Sequence, residues 1–209
     1  MFSIKARILL QLAAAAAVAS AAAADNYRLS AFGDSLMSGH GLLPQQGFVA
    51  RLQHHLDDSG LEVEVINHAI SGNTSADALG RISQVLDAKP DGVLLSFGGN
   101  DMLRKIEPEV TMGNLEQMIE MLKAADIDIL LVGMKAPLNW GPFYKFAFDG
   151  IYDDLADDHD LPLYPFLLEG IALDPKFNLP DGIHPNGAGI EVITEAILDD
   201  VVDLIEDGS

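Results

Sequence analysis

The amino-acid sequence predicts a three-layer α/β/α domain whose central sheet is parallel and holds about five strands. Two observations predict it. Short β-rich runs alternate with longer helical patterns as far as the C-terminus, and parallel neighbours need such crossovers, most often helices. The runs Val93-Leu94-Leu95 and Ile129-Leu130-Leu131-Val132 are apolar at every position, as strands covered on both faces are, whereas a half-exposed strand alternates.

The first element is a leader, residues 1–24. Lys5 and Arg7 precede the apolar start Ile8-Leu9-Leu10, an alanine-rich stretch follows, and Ala21 to Ala24 offer small residues before Asp25. That order reads as a secretory signal peptide cleaved near Ala24. Its alanine-dominated centre falls short of the ~20 strongly apolar residues of a membrane anchor. Residues 25–209 then make one domain, for which a hydrophobic share of 49% is enough to build a core.

Within that domain, strands are expected at 27–32, 62–68, 92–97, 127–134 and 161–164, each rich in aliphatic residues and ending near Gly, Asn or Pro. Helices are expected where apolar residues recur every three or four positions. These are 48–58 (Phe48, Leu52, Leu56), 75–88 (Ala78, Ile82, Val85), 109–125 (Leu115, Met118, Leu122), 144–158 (Phe148, Ile151, Leu155) and 189–206 (Ile190, Ile193, Ile197). No stretch after the leader is long and apolar enough to span a bilayer. Cysteine is absent, so there is neither a disulfide nor a thiol for lipid attachment. A soluble product is expected, in the periplasm or medium if the host is Gram-negative.

Charge excludes one class of partner. Against 32 acids there are 12 Lys and Arg, and the formal net charge of −20 becomes −22 when Lys5 and Arg7 leave with the leader. Such a surface repels polyphosphate backbones, so nucleic acid is not an expected partner, and nothing positive holds the chain on anionic lipid.

In open parallel sheets, ligands sit beyond the carboxyl ends of the strands. Gly33-Asp34-Ser35 follows the first strand, Ser71-Gly72-Asn73 the second and Gly98-Gly99-Asn100-Asp101 the third, so three polar, glycine-bearing turns converge on one edge. Near the C-terminus stands Asp181-Gly182-Ile183-His184-Pro185. Asp-x-x-His lets a carboxylate accept the imidazole Nδ1–H and leaves Nε2 facing a serine, here Ser35. Asn100, with the backbone N–H groups of Ser35 and Gly72, supplies donors for a developing oxyanion. Each piece has a plainer reading, since Ser, Asp, Asn and Gly cap helices and make turns. Asn186 as a helix cap would leave His184 a bystander. Met37 stands where the Gly-x-Ser-x-Gly elbow needs its second glycine, which sets this serine apart from that motif.

Taken together, Gly33-Asp34-Ser35-Leu36, Gly72, Gly98-x-Asn100-Asp101 and Asp181-x-x-His184 resemble, in order and spacing, the SGNH hydrolase (GDSL esterase/lipase) superfamily over nearly all of the mature chain. Through residues 67–75, Asn139-Trp140-Gly141 and residues 181–186, the chain is most similar to the periplasmic thioesterase I/lysophospholipase L1/arylesterase group. The resemblance implies a flavodoxin-like sheet and a secreted, monomeric serine esterase acting on small acyl esters and thioesters through an acyl-enzyme. It implies Ser35 as nucleophile, Asp181 and His184 as its triad partners, and Ser35, Gly72 and Asn100 as the oxyanion hole. No cofactor or metal is implied. Asn73 stands where Asp is expected in relatives, which bears on local turn geometry. A carbohydrate O-acetylesterase uses the same machinery with a shallower pocket, and a non-catalytic lipid-binding protein on the same fold is the rival from another class.

Other residues carry weaker signals. His54 and His55 are adjacent on a helix and point apart, and His40 and His68 lack the spacing of a metal site. Gly39-His40-Gly41 lacks the third glycine of a dinucleotide fingerprint. The acids from Asp153 to Asp160 lack the ligand order of a calcium loop and read as a solvated helix face. Trp140 and Phe143, flanking Gly141-Pro142, are expected to wall an acyl or aryl pocket, while Tyr144 and Phe148 at helical spacing belong to the core.

Overall fold

In the computed structural model, residues 26–208 are described, so the expected leader lies outside the described residues. Five strands form one sheet: β1 (Tyr27–Gly33), β2 (Val63–Asn67), β3 (Gly92–Ser96), β4 (Asp128–Val132) and β5 (Leu163–Tyr164). Their order is β2-β1-β3-β4-β5 and every pairing is parallel. All five residues of β3 are buried, because helices cover both faces, and this explains the unbroken apolar runs in the sequence. From β1 the chain passes outward to β2 and then back across β1 to β3. The strand order therefore reverses between β1 and β3, where such folds open a crevice.

The covering helices fall into two groups. On one face α2 (Phe48–Asp58) packs against α8 (Gly187–Ala196) and α9 (Leu198–Asp207). On the other, α6 (Pro108–Lys123) packs between α3 (Ser75–Leu79) and α7 (Pro142–His159). Phe32, Phe48, Phe97, Phe148, Leu94 and Leu115 are among the largest side chains that this packing encloses. No helix among the described residues is long and apolar enough to cross a membrane.

Two expected helices are each broken in two. The run expected over 75–88 is α3 and then α4 (Ile82–Ala88). Between them Arg81 leaves the helical region, with φ −126°, and its guanidinium is drawn to Asn73 Oδ1 and His68 O at 2.6 and 2.7 Å. The guanidinium also lies 4.7 Å from the Phe32 ring centroid. These distant partners act at a point that Gly80, the C-cap of α3, already weakens as helix. The run expected over 189–206 is divided at Ile197, a fully buried residue between α8 and α9. Two short helices at the sheet edge fall outside the expected set: α1 (Ser35–Ser38) and α5 (Gly99–Leu103). Both begin where a strand has just ended.

Candidate active site

Ser35 opens α1 immediately beyond β1, and Asp34 caps that helix through Oδ1, which accepts from the Leu36 N–H at 3.0 Å. The other carboxylate oxygen accepts from Asn100 Nδ2 at 3.1 Å. Asp34 is only 4% exposed. Burial pushes its carboxyl up to about 6, and the bonds from Leu36 and Asn100, which favour the charged form, only partly oppose that.

His184 arrives from the far end of the chain. Its Nε2 lies 2.9 Å from Ser35 Oγ and its Nδ1 lies 2.8 Å from Asp181 Oδ2. Asp181 Oδ1 also accepts from the backbone N–H groups of His184 and Ile183, at 3.0 and 2.9 Å. These bonds, with the His184 backbone foremost, hold the Asp181 carboxyl well below the usual carboxylate range. An ionised carboxylate only accepts, so Nδ1 carries the ring proton and the Nε2 lone pair faces the serine hydroxyl.

The loop that does the aiming is tied at both ends. Leu179 N–H donates to His184 O at 2.7 Å and Gly182 N–H to Leu179 O at 2.9 Å. Asn186 caps α8 by accepting from the N–H groups of Ala188 and Gly189. The turn and the cap of the plainer reading are thus both present. Both hold the loop that carries His184.

Gly72 and Asn100 stand on the neighbouring strand ends. Backbone bonds from His68 to Ala31 O and from Ile70 to Gly33 O, both 3.0 Å, carry the chain beyond β2 alongside β1. Gly72 has φ +82°, and a Cβ there would meet nothing within 4 Å, so the requirement for glycine is conformational, not steric. Asn100 Nδ2 donates to Asn73 O at 3.0 Å as well as to Asp34, so both of its hydrogens are held by internal acceptors. The Asn73 side chain accepts from Arg81 Nε, which fixes the turn where asparagine replaces the expected aspartate.

Three supporting residues have no role assigned by the sequence: Asp101 reads only as part of its glycine-bearing block, His40 only as lacking the spacing of a metal site, and Arg81 not at all. Asp101, fully buried, accepts from the Ser75 N–H at 2.8 Å, from Ser75 Oγ at 2.5 Å and from Thr111 Oγ1 at 3.3 Å, locking α3, α5 and α6 together behind Gly72 and Asn100. Arg81 fastens the loop after β2 to β1. His40 lies over His184, with ring centroids 4.3 Å apart and planes at 35°. The block Gly98-x-Asn100-Asp101 was the signal available for Asp101; nothing local marks the other two.

The expected aromatic wall divides. Trp140 lines a cleft of about 470 Å³ with Lys105, Glu107, Asn139 and Tyr144. Arg104, next to Lys105 in sequence, donates to Gly72 O at 2.8 Å. Trp140, Tyr144, Phe148 and Tyr152 form a ladder with successive centroids 5.7, 5.9 and 6.0 Å apart, with Phe148 fully buried as expected and Tyr144 only half-buried. Phe143 stands 90% exposed and outside the walls of that cleft.

Residues 31–192 match the model of the GDSL-like lipase/acylhydrolase family. The chain belongs to that family. It is 34% identical over 184 residues to an arylesterase of Vibrio mimicus, covering 88% of this chain and 92% of that protein. Over 167 residues it is 40% identical to thioesterase 1/protease 1/lysophospholipase L1 of Escherichia coli K12, covering 79% of this chain and 78% of that one. The crystal structure of TesA superposes with a TM-score of 0.81 at 37% identity, covering 85% of this chain and 99% of that one. As a GDSL-like acylhydrolase with esterase relatives, the protein is an ester-hydrolysing enzyme, and its parallel five-stranded sheet is the SGNH hydrolase fold.

Proposed function

We propose that the enzyme is a secreted, monomeric serine esterase of the arylesterase and thioesterase type, acting on small acyl esters and thioesters through a covalent acyl-enzyme. The observation that carries the reading is the continuous line from Asp181 Oδ2 through both nitrogens of His184 to Ser35 Oγ, with contacts of 2.8 and 2.9 Å. His184 Nε2 takes the Ser35 proton as Oγ attacks the acyl carbonyl, and Asp181 stabilises the imidazolium that results. His184 then gives the proton to the leaving oxygen or sulfur. Water, deprotonated in turn by Nε2, cleaves the acyl-enzyme and returns Ser35.

The negative charge on the carbonyl oxygen is received by the N–H groups of Ser35 and Gly72 and by Asn100 Nδ2. Asn100 must free a hydrogen for this. The bond to Asn73 O is the one to yield, since a charged acceptor binds an N–H roughly twice as strongly as a neutral carbonyl does. Trp140 supplies the wall for an acyl chain or aryl ring.

The test is turnover of p-nitrophenyl esters and of acyl thioesters by wild type and Ser35→Ala, with fluorophosphonate labelling read by mass. Turnover confined to wild type and a single adduct on Ser35 are expected. Equal rates in the two proteins would falsify the proposal.

A further inference from the structure

His40 has no part in that reaction, yet its ring is placed against the residue on which the reaction depends. It stands exposed in the turn after α1, and its ring nitrogens have no hydrogen-bond partner among the described residues. His40, Asp181 and His184 each offer one ligand atom, and all three atoms lie within 4.8 Å of one another. We propose that these three residues form an inhibitory site for a borderline transition-metal ion, zinc or copper(II), which switches the esterase off. The inference rests on the reading of His184 as the base.

Two imidazoles and a carboxylate are the donor set that zinc and copper(II) favour, with water completing the coordination, while magnesium and calcium prefer oxygen alone. A metal lies in the plane of an imidazole, along the nitrogen lone pair. The rings are stacked with a tilt of 35°, so one must turn. His40 is exposed and its ring makes no hydrogen bond, so it can turn at the cost of its ring contact with His184 alone. The formal charge of −20 draws cations to the surface.

Inhibition follows from the way His184 is already used. Its Nε2 is engaged by Ser35 and its Nδ1 by Asp181. An ion on Nε2 removes the acceptor for the serine proton. An ion on Nδ1 takes the place of the proton that Asp181 holds. In both cases Ser35 loses its activation, so metal binding and turnover exclude each other. A second cluster, His55, Glu191 and Glu195, meets the same distance limit. There the Arg51 guanidinium already spans both Glu191 oxygens at 2.6 and 2.7 Å, which leaves little need for another cation.

The experiment adds zinc or copper(II) chloride to chelator-stripped enzyme in a non-coordinating buffer, measures p-nitrophenyl ester turnover, and follows zinc binding by calorimetry. His40→Phe keeps a ring over His184 without a donor, and His40→Ala removes both. Wild type should bind one zinc ion and lose activity, EDTA should restore it, copper(II) should act at lower concentration than zinc, and magnesium should do nothing. Both variants should need at least about tenfold more zinc, the scale on which metal sites respond to loss of a contributing group. A wild type that binds no zinc, or variants inhibited at the wild-type concentration, would overturn the proposal. If metal-free wild type hydrolyses no ester, the proposed function fails instead, and the calorimetric comparison of wild type with His40→Phe still decides whether the site exists.

Discussion

Replacing Asn100 by alanine separates transition-state stabilisation from scaffolding, because in the proposed mechanism this one amide serves both. The substitution deletes the bonds to Asp34 Oδ2 at 3.1 Å and Asn73 O at 3.0 Å. At about 1 kcal/mol net for each, the loss in stability is about 2 kcal/mol, which for a domain of this size lowers Tm by roughly 4–8 °C. In the proposed mechanism it also removes one oxyanion donor, which should lower kcat by about 10²–10³, or about 3–4 kcal/mol in the barrier. Substrate binding in the cleft does not use this amide, so KM should change little. Thermal denaturation followed by circular dichroism, beside steady-state p-nitrophenyl acetate kinetics well below the lowered Tm, reads both effects. A variant with kcat within threefold of wild type would refute the oxyanion role, even if Tm fell as expected.

Four further outcomes follow from the geometry. Asp34 has its folded-state carboxyl raised to about 6 by burial. Its contribution is therefore fully favourable below the ordinary carboxylate range and is lost as pH rises through about 6. Relative to Asp34→Asn, wild type should lose up to about 3 kcal/mol of stability between pH 4 and 7 in urea titrations, and a difference independent of pH would count against the buried carboxyl. Gly72→Ala strains a residue at φ +82° without a clash; it should cost about 1–2 kcal/mol yet still fold, and insolubility would contradict the open space around it. Tyr152→Phe removes the buried hydroxyl that donates to Phe97 O at 2.8 Å. It should lower stability by about 1–3 kcal/mol with kcat unchanged, since it touches no reacting group. Trp140→Ala should raise KM for aryl and long-chain esters several-fold while sparing acetyl esters, and a uniform rise across the panel would remove it from the acyl wall.

Five strands and the α/β layering were legible because a strand buried on both faces announces itself in consecutive aliphatic residues, as at Val93 to Leu95. The contacts of His184 with Asp181 and Ser35 were legible for a different reason. Asp181 and His184 are three positions apart in one loop, so their mutual geometry is largely local, and the Ser35 turn follows a strand whose end the sequence marks with Gly33. The helix boundary was marked locally only by Gly80, and the side chains and carbonyls that hold Arg81 out of the helix come from β1 and the loop after β2.

Residue types, their order along the chain and the strand ends on which they fall were set by the sequence alone. Those are enough to expect Ser35, Gly72 and Asn100 on one edge of the sheet, with His184 beside them. Tertiary structure alone decided that Asp34 and Asn100 share a hydrogen bond, that Asp101 locks three helices behind them, and that His40 comes to rest on His184. Each of these is a contact between segments far apart in sequence, and packing of the whole domain, not local pattern, determines which of them meet.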